Sequence, residues 1–243
     1  HLLFAEHFLG IRRPGLVLEG VLHLGTALAA IVLFWPDVVR LLKAGLRLVT
    51  RRGSADAADP YAKLALAIVV ATAVTAALGL IFERPLERMF LSVRGVAFQL
   101  IITGVLLLWH HERGQRPATD ATVADGLALG LAQAVAIIPG ISRSGTTIVT
   151  GLRLGMQRAE ATRLSFLIAI PAIVGAGLLT LKDARQATAM GYTVPQLAVG
   201  FAVAAVVGAA SIRWLMDMVR RGRLMYFAVY CWIVGALVLV VVR

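Results

Sequence analysis

The sequence predicts an all-α protein that crosses a membrane several times, and three observations support this fold class. Hydrophobic residues make up 59% of the 243 residues and charged residues only 15%, whereas an ordinary soluble domain carries about 25% charged residues. The apolar residues form runs that approach the roughly 20 residues of a spanning helix. The basic residues, mostly arginine, lie between these runs. A water-soluble globule is therefore excluded.

Six apolar runs are long enough, or nearly so, to be spanning helices. They are Leu16–Trp35, Ala62–Phe82, Val96–Trp109, Ala161–Leu181, Val194–Met216 and Tyr226–Val242. The third run is short unless its helix begins before Val96. We expect about six transmembrane helices.

A further apolar segment is broken in its middle. Leu127–Ile138 ends at Pro139-Gly140, and the apolar pattern resumes as Ile148–Met156. A short helix, a Gly/Pro break and a second short helix are typical of a re-entrant hairpin. Irregular backbone at membrane depth survives only where it is buried or lines a cavity. The break is therefore a candidate site.

A weak internal repeat indicates how the chain is organised. Shifting the chain by 145 residues aligns His1–Phe34 with Thr146–Leu179 without gaps. We divide the single membrane domain into a first repeat, residues 1–125, and a second repeat, residues 126–243. Each would hold three spans, an odd number, so the second copy enters from the opposite side. Inverted-topology repeats of this kind build sites near the midplane of the membrane.

The distribution of basic residues predicts orientation rather than nucleic-acid binding. Placing the loop Pro36–Tyr61 in the cytoplasm puts 14 Lys or Arg side chains on that side and 8 on the other, with Lys63 and Arg143 left out. The positive-inside rule favours this assignment. Although the net charge is +11, the arginines are scattered between spans, so we expect contacts with membrane lipids and no nucleic acid.

The segment after the helix break has the composition of an anion site. Ser142 or Ser144 can cap the second helix, whose first amides attract phosphate. Arg143 adds a planar donor that suits phosphate oxygens, and Thr146 and Thr147 add two more hydroxyls. A buried arginine in a membrane is costly without an anion. The alternative is that the hydroxyls only satisfy the broken helix while Arg143 extends to the surface.

Another ionisable pair lies in the first apolar run. Glu19 and His23 are four residues apart and would share a helix face, where they could pair. Glu19 is also close to the helix end, so an interfacial position is the alternative.

Three motifs resemble the bacterial undecaprenyl-diphosphate phosphatases of the bacitracin-resistance type. They are PGISRSG at residues 139–145 with Thr147, LSFLIAIP at residues 164–171 and LHLGT at residues 22–26. The resemblance implies two inverted repeats with re-entrant helix pairs. It also implies hydrolysis of undecaprenyl diphosphate to undecaprenyl phosphate and inorganic phosphate, which recycles the lipid carrier of peptidoglycan synthesis.

The resemblance also assigns roles to individual residues. The catalytic residues would be Arg143, which clamps the diphosphate, Ser142, and His1 as general base or nucleophile. The substrate-binding residues would be Gly140, Ser144, Gly145, Thr146, Thr147 and, as a helper, Glu19.

One part of the family pattern is not found in this sequence. In the family a Glu-rich stretch ends in a Ser-Ser-Thr-Gly-His element, and His1 matches its histidine. We therefore expect a truncated first repeat without its first re-entrant helix. The resemblance implies a divalent cation, Mg²⁺ or Ca²⁺, whose ligands would precede His1, and we assign no metal ligand within the sequence.

The expected setting is the bacterial inner membrane, with the active site open to the outer, periplasmic side. The expected partners are membrane lipids, a polyprenyl diphosphate substrate and a second copy of the chain in a homodimer. The main alternative function is a polyprenyl-phosphate flippase or anion transporter, because inverted repeats with broken helices also build transporters.

Overall fold

A computed structural model describes Phe4 and residues 15–50, 59–89, 92–109, 114–181 and 193–242. In this part of the chain the secondary structure is helical apart from turns, short connections and one isolated β-bridge. This confirms the predicted all-α class.

The described residues form ten α-helices and one short 3₁₀ helix, Ala118–Asp120. The α-helices are α1 (Gly15–Leu33), α2 (Trp35–Thr50), α3 (Pro60–Ile81), α4 (Glu83–Met89), α5 (Val93–Leu108), α6 (Val123–Val135), α7 (Arg143–Arg153), α8 (Arg158–Leu181), α9 (Val194–Arg220) and α10 (Leu224–Val241).

Every predicted span coincides with a helix, but the helices differ in length. Among the described residues, α3, α8, α9 and α10 are long and apolar enough to cross a membrane. Helices α1 and α2 meet the same test only as a pair, with a bend of 90° at the break between them, so a fifth span results if this bent pair counts as one. Helix α5 has 16 residues and is a shorter apolar helix. The protein is therefore a multi-pass membrane protein with four or five clear spans.

Surface side chains agree with a lipid environment. Valine and leucine side chains on the spans are largely exposed, for example Leu80 at 70%, Val206 at 71% and Val240 at 74%. In water such surfaces would form large apolar patches of the kind that monomeric soluble proteins avoid. Lipid chains cover them without this cost.

The chain divides into two compact units. One contains residues 1–35 and 166–215, and the other contains residues 36–165 and 216–243. The two units are defined by contacts between residues and do not divide the chain between residues 125 and 126. The two repeats stay a prediction.

Small residues bring the helices of the first unit together. A Cβ atom at Gly25 of α1 would lie 2.6 Å from the carbonyl oxygen of Phe201 in α9. Ala27 of α1 forms a buried cluster with Ala169 and Ile173 of α8. Gly208 of α9 lies against α1 in the same way. Close approach through small residues is the usual way in which membrane helices gain packing energy.

In the second unit, α6 packs along α3 by the same device. Cβ atoms at Gly126 and Gly130 would lie 2.5 Å and 2.8 Å from the carbonyl oxygens of Ala67 and Ala71. One turn further on, Gln133 Nε2 donates to the hydroxyl of Thr75 at 3.2 Å. Helix α6 is therefore held along about half of α3.

Helices α6 and α7 form a hairpin whose two ends meet. Arg116, before α6, pairs with Met156, after α7, in the isolated β-bridge. The Arg116 amide donates to Gly155 O at 3.0 Å, and the Gln157 amide donates to Arg116 O at 3.0 Å. The chain returns to its starting level, so the predicted hairpin of two helices with a break is present, while its entry into and exit from one side of the membrane stays a prediction. With 13 residues, α6 reaches about 20 Å, less than the roughly 30 Å hydrocarbon core.

Candidate active site at the tip of the re-entrant hairpin

The tip of the hairpin is a tight turn around Pro139 and Gly140. The Ile141 amide donates to Ile138 O at 3.1 Å, and Gly140 has a φ of +98°. Proline at the second position and a residue of positive φ at the third are the pattern of a type II turn. A Cβ atom at Gly140 would also overlap the carbonyl oxygen of Val96 in α5. Glycine is therefore required here by both conformation and space.

A single buried hydroxyl on α5 holds this turn. Thr103 Oγ1 donates to Gly140 O at 3.0 Å and accepts from the Ser142 amide at 3.1 Å. Thr103 is 1% exposed, so water cannot replace these bonds. The turn and the start of α7 are thereby fixed to one position on α5.

Ser142 is the N-cap of α7, which decides between the two caps that the sequence allowed. Its Oγ accepts from the Gly145 amide at 3.2 Å. A Cβ atom at Gly145 would lie 3.0 Å from a methyl group of Leu107, so the first turn of α7 lies close against α5. Among the described residues, the amides of Arg143 and Ser144 have no hydrogen-bond partner. A helix N-terminus with free amides attracts an anion.

Arg143 lies at this N-terminus. Its side chain is half-buried, and within the described ranges it forms no ion pair and no hydrogen bond. A guanidinium withdrawn from water without a counter-charge is unfavourable. An anionic ligand at the tip would remove this cost.

The four hydroxyls of the predicted site have different roles. Thr146 Oγ1 donates to Ser142 O at 2.7 Å, which is a bond within its own helix. Thr147 is 1% exposed, donates to Arg143 O at 2.8 Å and lies 2.7 Å from Ser165 Oγ. The hydroxyl of Ser144 has no hydrogen-bond partner in the part of the chain described. Ser144 is thus the serine most available to a ligand.

Two further site residues, His1 and Glu19, were predicted from the sequence. His1 lies outside the described residues. Glu19 lies on α1, in the other unit, where His23 Nδ1 is 2.7 Å from the carbonyl oxygen of Glu19. His23 therefore contacts the backbone carbonyl of Glu19, whereas the sequence predicted that the two side chains could pair.

The residues of the tip do not fit a divalent cation. They provide hydroxyls, amides and a guanidinium, whereas Mg²⁺ and Ca²⁺ prefer carboxylate and carbonyl oxygens. Among the described residues no group of three or more His, Cys, Asp or Glu side chains could hold a metal ion. Donor groups of this kind suit an anion instead.

Two residues that position the site were not assigned by the sequence. Thr103 lies in an apolar span, where a lone threonine usually bonds its own helix, so no pattern pointed to it. Ser165 belongs to the LSFLIAIP motif, and that motif was the available signal.

Comparison of the sequence with known proteins identifies the family of this chain. The family model described as "Bacitracin resistance protein BacA" matches residues 1–237. A protein of Methanobrevibacter smithii named undecaprenyl-diphosphatase is 35% identical over 98% of this chain and 88% of its own length. Undecaprenyl-diphosphatase 1 of Halalkalibacterium halodurans is 35% identical over 98% and 87%. Undecaprenyl-diphosphatase of Desulfatibacillum aliphaticivorans is 37% identical over 99% and 90%. The chain therefore belongs to the bacitracin resistance protein BacA family.

Proposed function

We propose that this protein hydrolyses undecaprenyl diphosphate to undecaprenyl phosphate and inorganic phosphate, and so returns the lipid carrier to peptidoglycan synthesis. The observation that carries the proposal is the group at the N-terminus of α7. There Arg143 and Ser144 are the first two residues of the helix, and the half-buried guanidinium, the two amides and the Ser144 hydroxyl have no partner among the described residues. The names of the relatives support the substrate.

The reaction breaks one anhydride bond. The oxygen of a water molecule forms a bond to the terminal phosphorus, the bond from that phosphorus to the bridging oxygen breaks, and the bridging oxygen stays on the polyprenyl phosphate. Catalysis then depends on stabilising charge on the phosphoryl oxygens. The amides at the start of α7 are donors that the helix holds in place before the substrate arrives, and Arg143 adds a guanidinium at the same helix end.

The remaining groups of the site are also part of the proposal. His1 would accept the proton of the attacking water or act as nucleophile, and Glu19 would assist. Ser142, Gly140 and Gly145 would shape the tip, and Thr146 and Thr147 would support the helix that presents Arg143. A divalent cation would neutralise part of the diphosphate charge, with ligands from outside the described tip.

The carrier alternative is not favoured, because the relatives compared above are named as diphosphatases. Phosphate release separates the two functions, since a flippase or anion transporter would bind the lipid and release no phosphate.

Arg143→Ala tests the proposal, and Arg153→Ala is its matched control. Both arginines lie on α7, but Arg153 is exposed and stacks on the ring of Trp109 at 4.1 Å. We expect phosphate release from undecaprenyl diphosphate to fall about 10²–10³-fold in Arg143→Ala, the loss typical of one preorganised donor. Arg153→Ala should stay within about twofold of the parent. Equal rates for Arg143→Ala and the parent would remove Arg143 from the chemistry.

The proposed setting is the bacterial inner membrane, with the site open to the outer side and the turn at Arg221 in the cytoplasm. A Cys231→Ala background allows single cysteines at Ser144 and at Arg221. A membrane-impermeant maleimide should label the first in intact cells and the second only after permeabilisation. The reverse pattern would invert the topology. Light scattering in detergent tests the proposed homodimer.

A further inference from the structure

A cleft of about 330 Å³ opens beside the first turn of α8. It lies at the C-terminal end of α7, whereas the candidate active site lies at the N-terminal end. The lining residues are polar, basic or small, and none is acidic: Gly114, Gln115, Gln157, Arg158, Ala159 and Arg220. A polar cleft with two guanidinium groups and no carboxylate favours an anionic ligand.

One wall of the cleft is fixed by the pairing at the base of the hairpin. The Gln157 amide donates to Arg116 O at 3.0 Å, and Gln157 Nε2 donates to Gln115 O at 2.9 Å. The wall therefore has a defined shape before a ligand binds, which lowers the entropy cost of binding.

The turn between α9 and α10 brings the second wall close. Gly222 in this turn has a φ of +69°. A Cβ atom at Gly222 would lie 2.8 Å from Nη1 of Arg158, so the guanidinium lies directly on the turn. Arg220, on the last turn of α9, lines the same cleft. The two arginines, 62 positions apart in the sequence, thus converge through the fold.

One positive charge at the cleft lacks a counter-charge. Arg220 has no ion pair or hydrogen bond among the described residues. The neighbouring Arg221 differs, because its Nε lies 2.8 Å from Asp217 Oδ2. Helix α8 adds the positive end of a 24-residue dipole. Guanidinium groups and helix amides together suit the oxygens of a phosphate group.

The cleft also lies at the level of helix ends, where lipid headgroups are found. Helix α9 ends at Arg220 and α10 begins at Leu224. Tyr226 in the first turn of α10 is 64% exposed, and aromatic side chains of this kind are enriched at the membrane interface.

We propose that this cleft is a second anion site, which binds a phosphate group at the membrane surface through Arg158, Arg220 and the N-terminus of α8. The phosphate belongs to the headgroup of an anionic phospholipid or to free inorganic phosphate. This inference does not depend on the proposed reaction, because no residue of the hairpin tip takes part.

Native mass spectrometry of the full chain tests the site. Dioleoyl phosphatidylglycerol and dioleoyl phosphatidylcholine are compared as probes, with Arg220→Gln as the variant and Arg221→Gln as its control of equal charge. We expect Arg220→Gln to weaken phosphatidylglycerol binding about tenfold, as for one charge-assisted hydrogen bond, and Arg221→Gln to change it by less than about twofold. Equal effects of the two variants would overturn the proposal, since binding would then follow net charge only.

A second arm identifies the source of the phosphate group. If inorganic phosphate raises the unfolding temperature of the parent and not of Arg220→Gln, while lipid binding shows no preference, the ligand is free phosphate. If the protein shows no preference for phosphatidylglycerol and no phosphate effect that depends on Arg220, the proposed site is overturned. Arg220 is exposed, so its replacement should leave folding intact, and Arg220→Lys should retain part of the binding.

Discussion

Arg163 and Asp37 form an ion pair that joins α8 to α2 across 126 residues of sequence. Arg163 Nε lies 2.8 Å from Asp37 Oδ2, and a second guanidinium nitrogen contacts Oδ1. Tyr61 Oη donates to Asp37 Oδ1 at 3.1 Å, and Glu160 lies 3.1 Å from Arg163 Nη1. Asp37 is 8% exposed, so the pair depends on its partners and not on water.

Asp37→Ala should destabilise the protein by about 3 kcal/mol. Removing one member of a buried pair leaves the other charge without compensation, and Glu160 can offset only part of this. Thermal unfolding in detergent measures the loss. The double variant Asp37→Leu with Arg163→Leu should be less destabilised than the sum of the single variants. Simple additivity would mean that the pair contributes no coupling energy.

Gly140→Ala should lower both stability and turnover far more than Gly155→Ala. Both glycines have positive φ, +98° and +82°, so each substitution carries the backbone strain of about 1–2 kcal/mol. Only at Gly140 does the new Cβ atom also overlap a backbone oxygen, that of Val96, whereas at Gly155 nothing lies within 4 Å. Unfolding temperature and phosphate release measure both effects. Similar losses at the two positions would show that steric overlap at the hairpin tip is unimportant.

Thr103→Val should reduce turnover by about tenfold or more, because a small displacement of a catalytic group costs up to about 10²-fold. The valine removes the bonds to Gly140 O and from the Ser142 amide, which then lose their buried partner. Thr103→Ser should restore activity. Thr72→Val is the control, since Thr72 bonds only Ile68 O of its own helix at 2.8 Å. A fully active Thr103→Val would exclude this positioning role.

Ser144→Ala and Thr147→Val should distinguish a residue that contacts the substrate from a residue that stabilises the fold. Ser144 has a hydroxyl without a partner among the described residues at the N-terminus of α7, so its loss should raise KM or lower kcat with little change in unfolding temperature. Thr147 is buried against Ser165, so Thr147→Val should lower stability by about 1–3 kcal/mol. Steady-state kinetics and thermal unfolding of both variants check this division. A loss of stability in Ser144→Ala of the same size would place Ser144 among the supporting residues.

Acid should weaken the base of the hairpin through Asp125. Burial alone would raise the pKa of Asp125, but hydrogen bonds from Arg116 and from Thr122 outweigh it and lower the pKa below its usual 3.8. A lowered pKa contributes stability that is present above 3.8 and lost as the pH falls through the lower, folded-state pKa. The same pair raises the pKa of Arg116 through its hydrogen bond with Asp125.

The unfolding temperature should therefore fall at acid pH in the parent. In Asp125→Asn it should already be lower at pH 7 and should change less with acid. An unchanged acid profile in Asp125→Asn would assign the loss to other carboxylates.

Much of the helix pattern and the hairpin break could be predicted from the sequence. Long apolar runs must become helices in a membrane, because each backbone amide needs a partner within its own segment. Pro139-Gly140 ends α6 for local reasons, and Ser142 caps α7 within three residues of the group it bonds. Interactions between residues only a few positions apart can be predicted from the sequence alone. The length of α5 was less certain, since the end of a helix depends on packing as well as on hydropathy.

Contacts between distant segments were decided by the tertiary structure. No pattern pairs Thr103 with Gly140 or Arg163 with Asp37, because these contacts depend on which helices pack together and in what register. The same holds for the contact between Thr147 and Ser165 of α8. The sequence grouped four hydroxyls at the site, whereas Thr146 and Thr147 bond carbonyl oxygens within their own segment and the Ser144 hydroxyl has no partner among the described residues.

The sequence by itself determined that this protein is a helical membrane protein with a helix break before Arg143, and it predicted an anion site there. Hydropathy, helix breakers and helix caps depend on residues that are close together in the sequence, so the sequence is enough to recognise them. Only the tertiary structure decided how the break is held and which donors stay free. Those properties come from helix packing, in which glycines on α6 and α7 allow close approach and a hydroxyl on α5 fixes the turn.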